Sequence, residues 1–226
     1  MILSIENIAK SYKRKQVLNG INISADAGMQ VGIVGKNGSG KSTLLSILAG
    51  VQSPTPAQPQ GRFEYDGVNL LENRQLRNSI CAYVPQENPL ISELSALDNL
   101  KMWYDTPKLK NDLSDGVLKM LGIDEFISTR VSEMSGGMKK RLSIGCAVYA
   151  DPKVLLLDEP TAGLDIICKE KIYEYLRAFR NSGGIVLLAT HDEKEIAECD
   201  ELFIIKDGFA VPYAFDGSIQ NLLEGF

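Results

Sequence analysis

The chain has 226 residues, 44% hydrophobic and 23% charged, the size and make-up of a globular domain that can bury a sizeable core without disulfides. Its formal net charge of −5 argues against a broad nucleic-acid-binding face, so no nucleic-acid partner is expected. No apolar run approaches the roughly 18 residues of a membrane span, and the first residues lack a signal-peptide pattern, so a cytoplasmic location is expected. The cysteines Cys81, Cys146, Cys168 and Cys199 are widely spaced with no C-x-x-C, which supports neither a zinc site nor a redox motif. They read as small apolar residues in a reducing compartment.

Residues 2 to 34 alternate apolar and polar positions in short runs and read as a small β region leading into a core strand. The basic cluster Lys10, Lys13, Arg14 and Lys15 reads as a solvated turn between strands. After the apolar run Val31 to Val34 comes Gly35-Lys36-Asn37-Gly38-Ser39-Gly40-Lys41-Ser42, followed by Thr43-Leu44-Leu45-Ser46-Ile47-Leu48-Ala49-Gly50. That order predicts strand, glycine loop and helix, and its spacing fits the phosphate-binding pattern G-x-x-x-x-G-K-[ST]. Gly35, Gly38 and Gly40 can adopt positive φ and let the backbone close around a phosphate chain. Amides at the helix start point at the anion, with the helix dipole adding to the attraction. Lys41 supplies a point charge for the β/γ-phosphates, and the Ser42 hydroxyl is placed to ligate Mg2+. A glycine turn before an ordinary helix would not need all eight positions, so the pattern implies a bound nucleoside triphosphate.

Residues 52 to 61 hold three prolines and a glycine and are expected to form an exposed, peripheral loop. Phe63-Glu64-Tyr65 with Asp66-Gly67 predicts a further strand and turn. From about Asn88 to Ala150 the pattern turns helical. Leu94, Leu97, Leu100 and Lys101 fall near helical spacing, and so do Leu113, Val117, Leu118 and Leu121 before Gly122. A third helix is expected from near Ser135 to before Pro152. The apolar stripes here, Met120, Met134 and Met138 included, read as packing surface. Met102-Trp103-Tyr104 is expected in the core, the alternative being an exposed anchor for a partner.

Past Pro152, Val154–Leu157, Ile185–Ala189 and Leu202–Ile205 are continuous apolar runs, and a helix is expected around Lys169 to Phe179 before Gly183-Gly184. Continuous apolar strands separated by helices indicate a parallel sheet buried on both faces. Val154–Leu157 runs into Asp158-Glu159-Pro160, acids at the C-terminal end of such a strand, where phosphate-loop enzymes hold their metal. Asp158 is the candidate for Mg2+, and Glu159 the candidate to orient the attacking water. His191, the one histidine, follows the Ile185 strand; if that strand neighbours the Asp158 strand, it reaches the same edge. Ser135-Gly136-Gly137 before a helix forms a second amide cradle for an anion. One nucleotide rarely needs two cradles, so the second is read as serving a nucleotide held by another chain.

Together these residues resemble the ATP-binding-cassette (ABC) ATPases over essentially the whole chain. Gly35 to Ser42 matches Walker A, Val154 to Glu159 Walker B, and Met134-Ser135-Gly136-Gly137-Met138 the signature, usually Leu-Ser-Gly-Gly-Gln. Gln86 after Tyr83-Val84-Pro85 matches the Q-loop, Ala162-Gly163-Leu164-Asp165 the D-loop, and Thr190-His191-Asp192 the switch histidine. Tyr12 stands where the family has the aromatic residue that stacks on adenine. Two departures stand out, the methionines flanking the signature and the long proline-rich loop at 52 to 61.

The resemblance implies an α/β phosphate-loop core with a mainly parallel sheet, an N-terminal antiparallel β region and an inserted helical subdomain. The chain would be one domain, 1–226, with residues 1–87 and 151–226 as core and 88–150 as the insert carrying the signature. The expected ligands are ATP and Mg2+. Glu159, His191 and Lys41 would be catalytic. Tyr12, Gly35, Lys36, Asn37, Gly38, Ser39, Gly40, Lys41, Ser42, Thr43 and Gln86 would hold one nucleotide, and Ser42, Gln86 and Asp158 the metal. Ser135, Gly136, Gly137 and Asp165 would complete the site of a second ATPase subunit, identical or not, in an ATP-sandwich dimer. Met138 followed by basic residues and Arg141-Leu142 leans towards exporter-type cassettes, with a separate membrane permease contacting the stretch Gln86 to Trp103. The alternatives are a soluble cassette ATPase for cluster assembly or macromolecular remodelling and, with less support, a small-molecule kinase.

Overall fold

The computed structural model describes residues 2–13 and 15–225; Arg14 of the basic turn lies outside the described residues, as do Met1 and Phe226. Among the described residues there are two sheets. The smaller is antiparallel and pairs β1 (Leu3–Tyr12) with β2 (Lys15–Ala25) on one side and with β4 (Arg62–Tyr65) on the other, β4 continuing into β5 (Val68–Asn69). The larger has six strands: β3 (Gln30–Val34), β6 (Cys81–Val84), β7 (Val154–Asp158), β8 (Ile185–Ala189), β9 (Glu201–Lys206) and β10 (Phe209–Pro212). Their order is β10-β9-β3-β8-β7-β6, parallel throughout except for the β9–β10 hairpin.

Every residue of β3, β7 and β8 is buried, which is why these strands read as unbroken apolar runs. Their side chains divide between two cores. Leu156 and Leu187 point towards the antiparallel sheet and helix α1 (Lys41–Leu48), while Leu155, Leu157, Val186 and Leu188 point to the helical side. The helical side comprises α3 (Ala96–Lys101), α4 (Thr106–Asp115), α5 (Val117–Met120), α6 (Gly136–Ala147) and α7 (Ile166–Asn181), after α2 (Arg74–Ile80). The short α8 (Glu193–Ala197) and α9 (Ile219–Glu224) pack near β9. Helix starts carry local signals: Asn73, Ser95, Asp105, Ser135, Asp165, Asp192 and Ser218 each accept a backbone N–H of the first turn.

Three expectations are corrected. The stretch from Leu113 to Leu121 is not one helix: it breaks at Gly116, whose extended backbone separates α4 from α5. A Cβ at Gly116 would lie 2.6 Å from the Cα of Asp112, so only glycine fits the break. Met102 and Trp103 are more than half exposed; only Tyr104 is core, its hydroxyl donating to the Gly145 carbonyl at 2.9 Å. Met120, read as packing surface, is also exposed, since α5 is one turn long and buries only Leu118.

Leu156 is fully buried in the middle of β7. Leu156→Ala should cost about 2–5 kcal/mol through lost burial and a residual cavity. In urea unfolding the midpoint falls while the slope stays unchanged.

Candidate functional site

Parallel register brings the site together. Ile33 pairs with Ala189 and Ala189 with Asp158, so β3, β8 and β7 end in one row. β3 runs one residue further, to Val34, and beyond the strand ends lie Gly35, Thr190-His191 and Glu159. Val84 pairs with Leu157 one strand further, placing Gln86 at the same edge.

The glycine loop follows β3. Gly35 has φ 144°, and a Cβ there would come within 2.8 Å of the Ile205 carbonyl and 2.9 Å of Ser39 Oγ. Gly40 caps α1 at φ 115°, a conformation strained for any residue with a Cβ, which would also come within 2.7 Å of Leu18 Cδ2. Gly38, at φ 78°, faces open space. The buried Lys41 Nζ donates to the carbonyls of Gly35 at 2.7 Å and Lys36 at 3.3 Å. Burial lowers its pKa, while Glu159 and then Asp158 act to keep it charged. Burial raises the Asp158 pKa, and the nearby Ser42 hydroxyl acts against that shift.

Glu159 sits in a left-handed conformation, φ 48°, rare for a glutamate and held by its N–H donating to the Ala189 carbonyl at 2.9 Å. The Gln86 amide donates to Glu159 Oε2 at 3.0 Å, and His191 Nε2 lies 3.8 Å from Oε1. Burial, and then the Lys41 charge, hold His191 below the ordinary histidine value of 6.5. At neutral pH it is therefore an uncharged imidazole beside a carboxylate, not an ion pair.

Tyr12, Asn37, Gly38, Gly40, Lys41, Ser42, Thr43, Gln86, Glu159 and His191 line one cavity of about 580 Å3. Sequence reasoning missed its other lining residue, Val17, which carries no motif signal. Tyr12 is partly exposed at the mouth and donates its hydroxyl to Gln52. Ser135, Gly136, Gly137 and Asp165 are not in this cavity. Ser135 Oγ caps α6 by accepting the Met138 N–H at 3.2 Å, Asp165 caps α7 by accepting the Cys168 N–H at 2.9 Å, and the two helix starts pack at Gly137, where a Cβ would lie 2.3 Å from Cys168 Sγ and 3.7 Å from Asp165 Oδ2. Ser135 and Gly136 are exposed.

Lys140 was also missed. Buried on α6, it donates to the carbonyls of Pro85 at 3.0 Å and Gln86 at 2.9 Å, tying the helix that follows Ser135-Gly136 to the Gln86 loop. Burial lowers its pKa, while Asp158, Glu159 and Glu195 favour its charge. In sequence it is one of several basic residues after Gly137, with nothing to mark it.

Residues 18–162 match the family described as ABC transporter. The chain belongs to the ABC transporter family. It is 32% identical to the lantibiotic transport ATP-binding protein SrtF of Streptococcus pyogenes, over all of this chain and 96% of that one. It is 31% identical to the lipopolysaccharide export ATP-binding protein LptB of Haemophilus influenzae, over 97% of this chain and 93% of that one. ABC transporter G family member 20 of Dictyostelium discoideum is 30% identical over 92% of this chain, which spans only 28% of that protein. Among solved structures, the dimeric post-hydrolysis ATP-binding cassette MJ0796 with ADP and Pi superimposes with a TM-score of 0.80 at 27% identity, over 92% of this chain and 96% of that one. A nucleotide-free ABC cassette, at 24% identity and a TM-score of 0.83 over 99% of this chain and 95% of that one, shares the fold. The ABC cassette described here is thus an ATP-binding, ATP-hydrolysing transporter subunit.

At Gly35 a side chain meets backbone, which cannot yield, and its φ is strained for any residue with a Cβ. Gly35→Ala should weaken binding of a fluorescent ATP analogue by about tenfold or more. Circular dichroism should remain that of the parent, because the strain is local to the loop.

Proposed function

We propose that this cassette works as one half of an ATP-sandwich dimer that drives a separate membrane permease, in an export system, from the cytoplasmic face. The observation that carries this reading is the separation of two anion-binding features on one chain. Walker A residues line the cavity, whereas Ser135 and Gly136 are exposed outside it. Head-to-tail pairing with a second cassette supplies each cavity with the other's Ser135–Gly137 and Asp165. The dimeric MJ0796 cassette supports the arrangement; SrtF, a lantibiotic transport protein, supports transport, and LptB, of a lipopolysaccharide export system, supports export, both matched over nearly their whole length.

The residues fit a Mg2+–nucleotide. A hydroxyl and a carboxylate close enough to influence each other, Ser42 and Asp158, with Gln86 lining the same cavity as Ser42, suit a hard cation that takes its remaining ligands from phosphates and water. When bound, Mg2+ neutralises charge on the phosphates. Lys41 pairs with the β/γ-phosphates, the amides of residues 35–43 cradle them, and Tyr12 stacks on the base. Glu159 orients the attacking water and takes its proton, and the uncharged His191 donates towards the γ-phosphate. We assign residues 1–87 and 151–226 to the catalytic core and 88–150 to the helical subdomain.

Beside Gln86 lies an apolar groove of about 360 Å3, walled by Tyr83, Leu90, Trp103, Cys146 and Tyr149. Trp103 is half exposed against Tyr149, ring centroids 5.5 Å apart. This groove suits the permease, since Ser143, Cys146 and Ala147 on its wall belong to α6, whose Lys140 donates to the Gln86 carbonyl while the Gln86 amide donates to Glu159. Among the described residues no helix is long and apolar enough to cross a membrane.

Glu159→Gln should keep ATP binding and lose hydrolysis by about 10²–10⁴-fold. With ATP and Mg2+ it should run as a dimer in light scattering. Wild-type turnover would remove Glu159 from its role, and a strict monomer at saturating ATP would remove the shared site. Native co-purification should bring down a polytopic membrane protein in near-equal amount; a soluble scaffold in its place would turn the reading towards remodelling.

A further inference from the structure

Glu195 is a buried carboxyl that neither the nucleotide nor the metal reading uses. It is 2% exposed, yet it accepts hydrogen bonds from Thr161 Oγ1 at 2.7 Å and from Thr190 Oγ1, both threonines fully buried. Thr161 stands two residues after Glu159, and Thr190 one residue before His191. Thr190 Oγ1 also accepts the Asp192 N–H at 2.9 Å, fixing the turn that carries His191. Glu159, Ala162 and Gly163 form one wall of a cavity of about 210 Å3 beside the nucleotide site, and Thr190, His191 and Asp192 form the other. Glu195 fastens these two walls together from behind.

We propose that Glu195 is a positioning residue for ATP hydrolysis, holding the Glu159–Gly163 loop against the Thr190–Asp192 loop so that Glu159 and His191 keep their mutual placement. This rests on the reading that Glu159 and His191 act on the nucleotide. The carboxylate has no role of its own in the chemistry.

The clamp depends on charge. Only an ionised carboxylate lets both threonine hydroxyls donate to it at once; when protonated it must donate to one of them, and that hydroxyl must turn. Burial pushes the Glu195 carboxyl up to about 7, against the two threonine hydrogen bonds. Asp192 on its own helix raises it further, and Lys169 on α7 opposes. Tyr173 on α7, Lys140 on α6 and Cys199 after α8 also feel its charge. The folded protein therefore holds a proton that the unfolded chain has lost above its ordinary value of 4.5. The stabilisation from that proton is complete below 4.5 and is lost as pH rises through about 7.

The test compares wild type, Glu195→Gln and Glu159→Gln in ATPase kinetics and thermal unfolding from about pH 6 to pH 8. Glu195→Gln, permanently neutral, should keep KM for ATP within about twofold and turn over about tenfold more slowly at the alkaline end. At the acid end its kcat should converge on wild type, whose own carboxyl is then protonated. Its melting temperature should rise relative to wild type as pH increases, because only the wild type pays for a buried charge. A kcat ratio that is constant across the range, or a change confined to KM, overturns the proposal. If Glu195→Gln does not fold, Thr161→Val serves instead: kcat should fall at constant KM and return in Thr161→Ser, and a wild-type kcat in the valine variant overturns the proposal. Glu159→Gln separates the failures. If it is inactive while Glu195→Gln matches wild type at every pH, the positioning role alone is wrong. If it turns over normally, the assignment of Glu159 is wrong.

Discussion

Parallel register between β3, β8 and β7 is the constraint on which the rest of the site depends. Hydrogen bonding between strands sets Ile33, Ala189 and Asp158 in one row, so whatever follows each strand emerges at the same edge. The glycine loop, Glu159 and His191 come from positions far apart in the chain, and they meet because strand ends meet. A slip of one residue in any pair would also exchange the two faces of a strand, putting Leu156 where Leu155 and Leu157 belong. The two cores thus guard the register, and the register builds the site.

Charge at this edge is balanced by burial on both sides. Lys41 and Lys140 are desolvated and would be costly alone; Asp158 and Glu159 offset each of them. Each cation also donates to carbonyls, Lys41 within the glycine loop and Lys140 to Pro85 and Gln86. The arrangement offsets the negative charge of the two acids at this edge. Glu195, one layer further in, extends the same network through hydroxyls rather than through ions.

The Gln86 segment joins the sheet edge to the helical insertion. The Gln86 side chain reaches Glu159 at 3.0 Å, its carbonyl accepts from Lys140 of α6, and Tyr83 before it and Leu90 after it line the groove that holds Trp103. Two hydrogen bonds therefore link the helical insertion to Glu159. Trp103 can remain half exposed because Tyr149 covers one face of its ring.

Local chemistry made much of this legible from sequence alone. Gly35, Gly40, Lys41, Ser42, Asp158, Glu159 and His191 could be read because each needs a particular residue type at a fixed offset from a strand end or helix start, and both the buried strands and the helix caps leave short-range patterns. The short elements α2, β6, α8, β10 and α9 left too few residues for a pattern to stand out. Exposure of Met102 and Trp103, the break at Gly116, and the partners of Lys140 and Glu195 were decided only by tertiary structure. Composition cannot say which side of a short helix meets a neighbour, nor which of several basic or acidic residues will be buried against a distant backbone carbonyl or threonine. The sequence by itself determined the chemistry available at the sheet edge; packing between distant segments decided which side chains hold that chemistry in place.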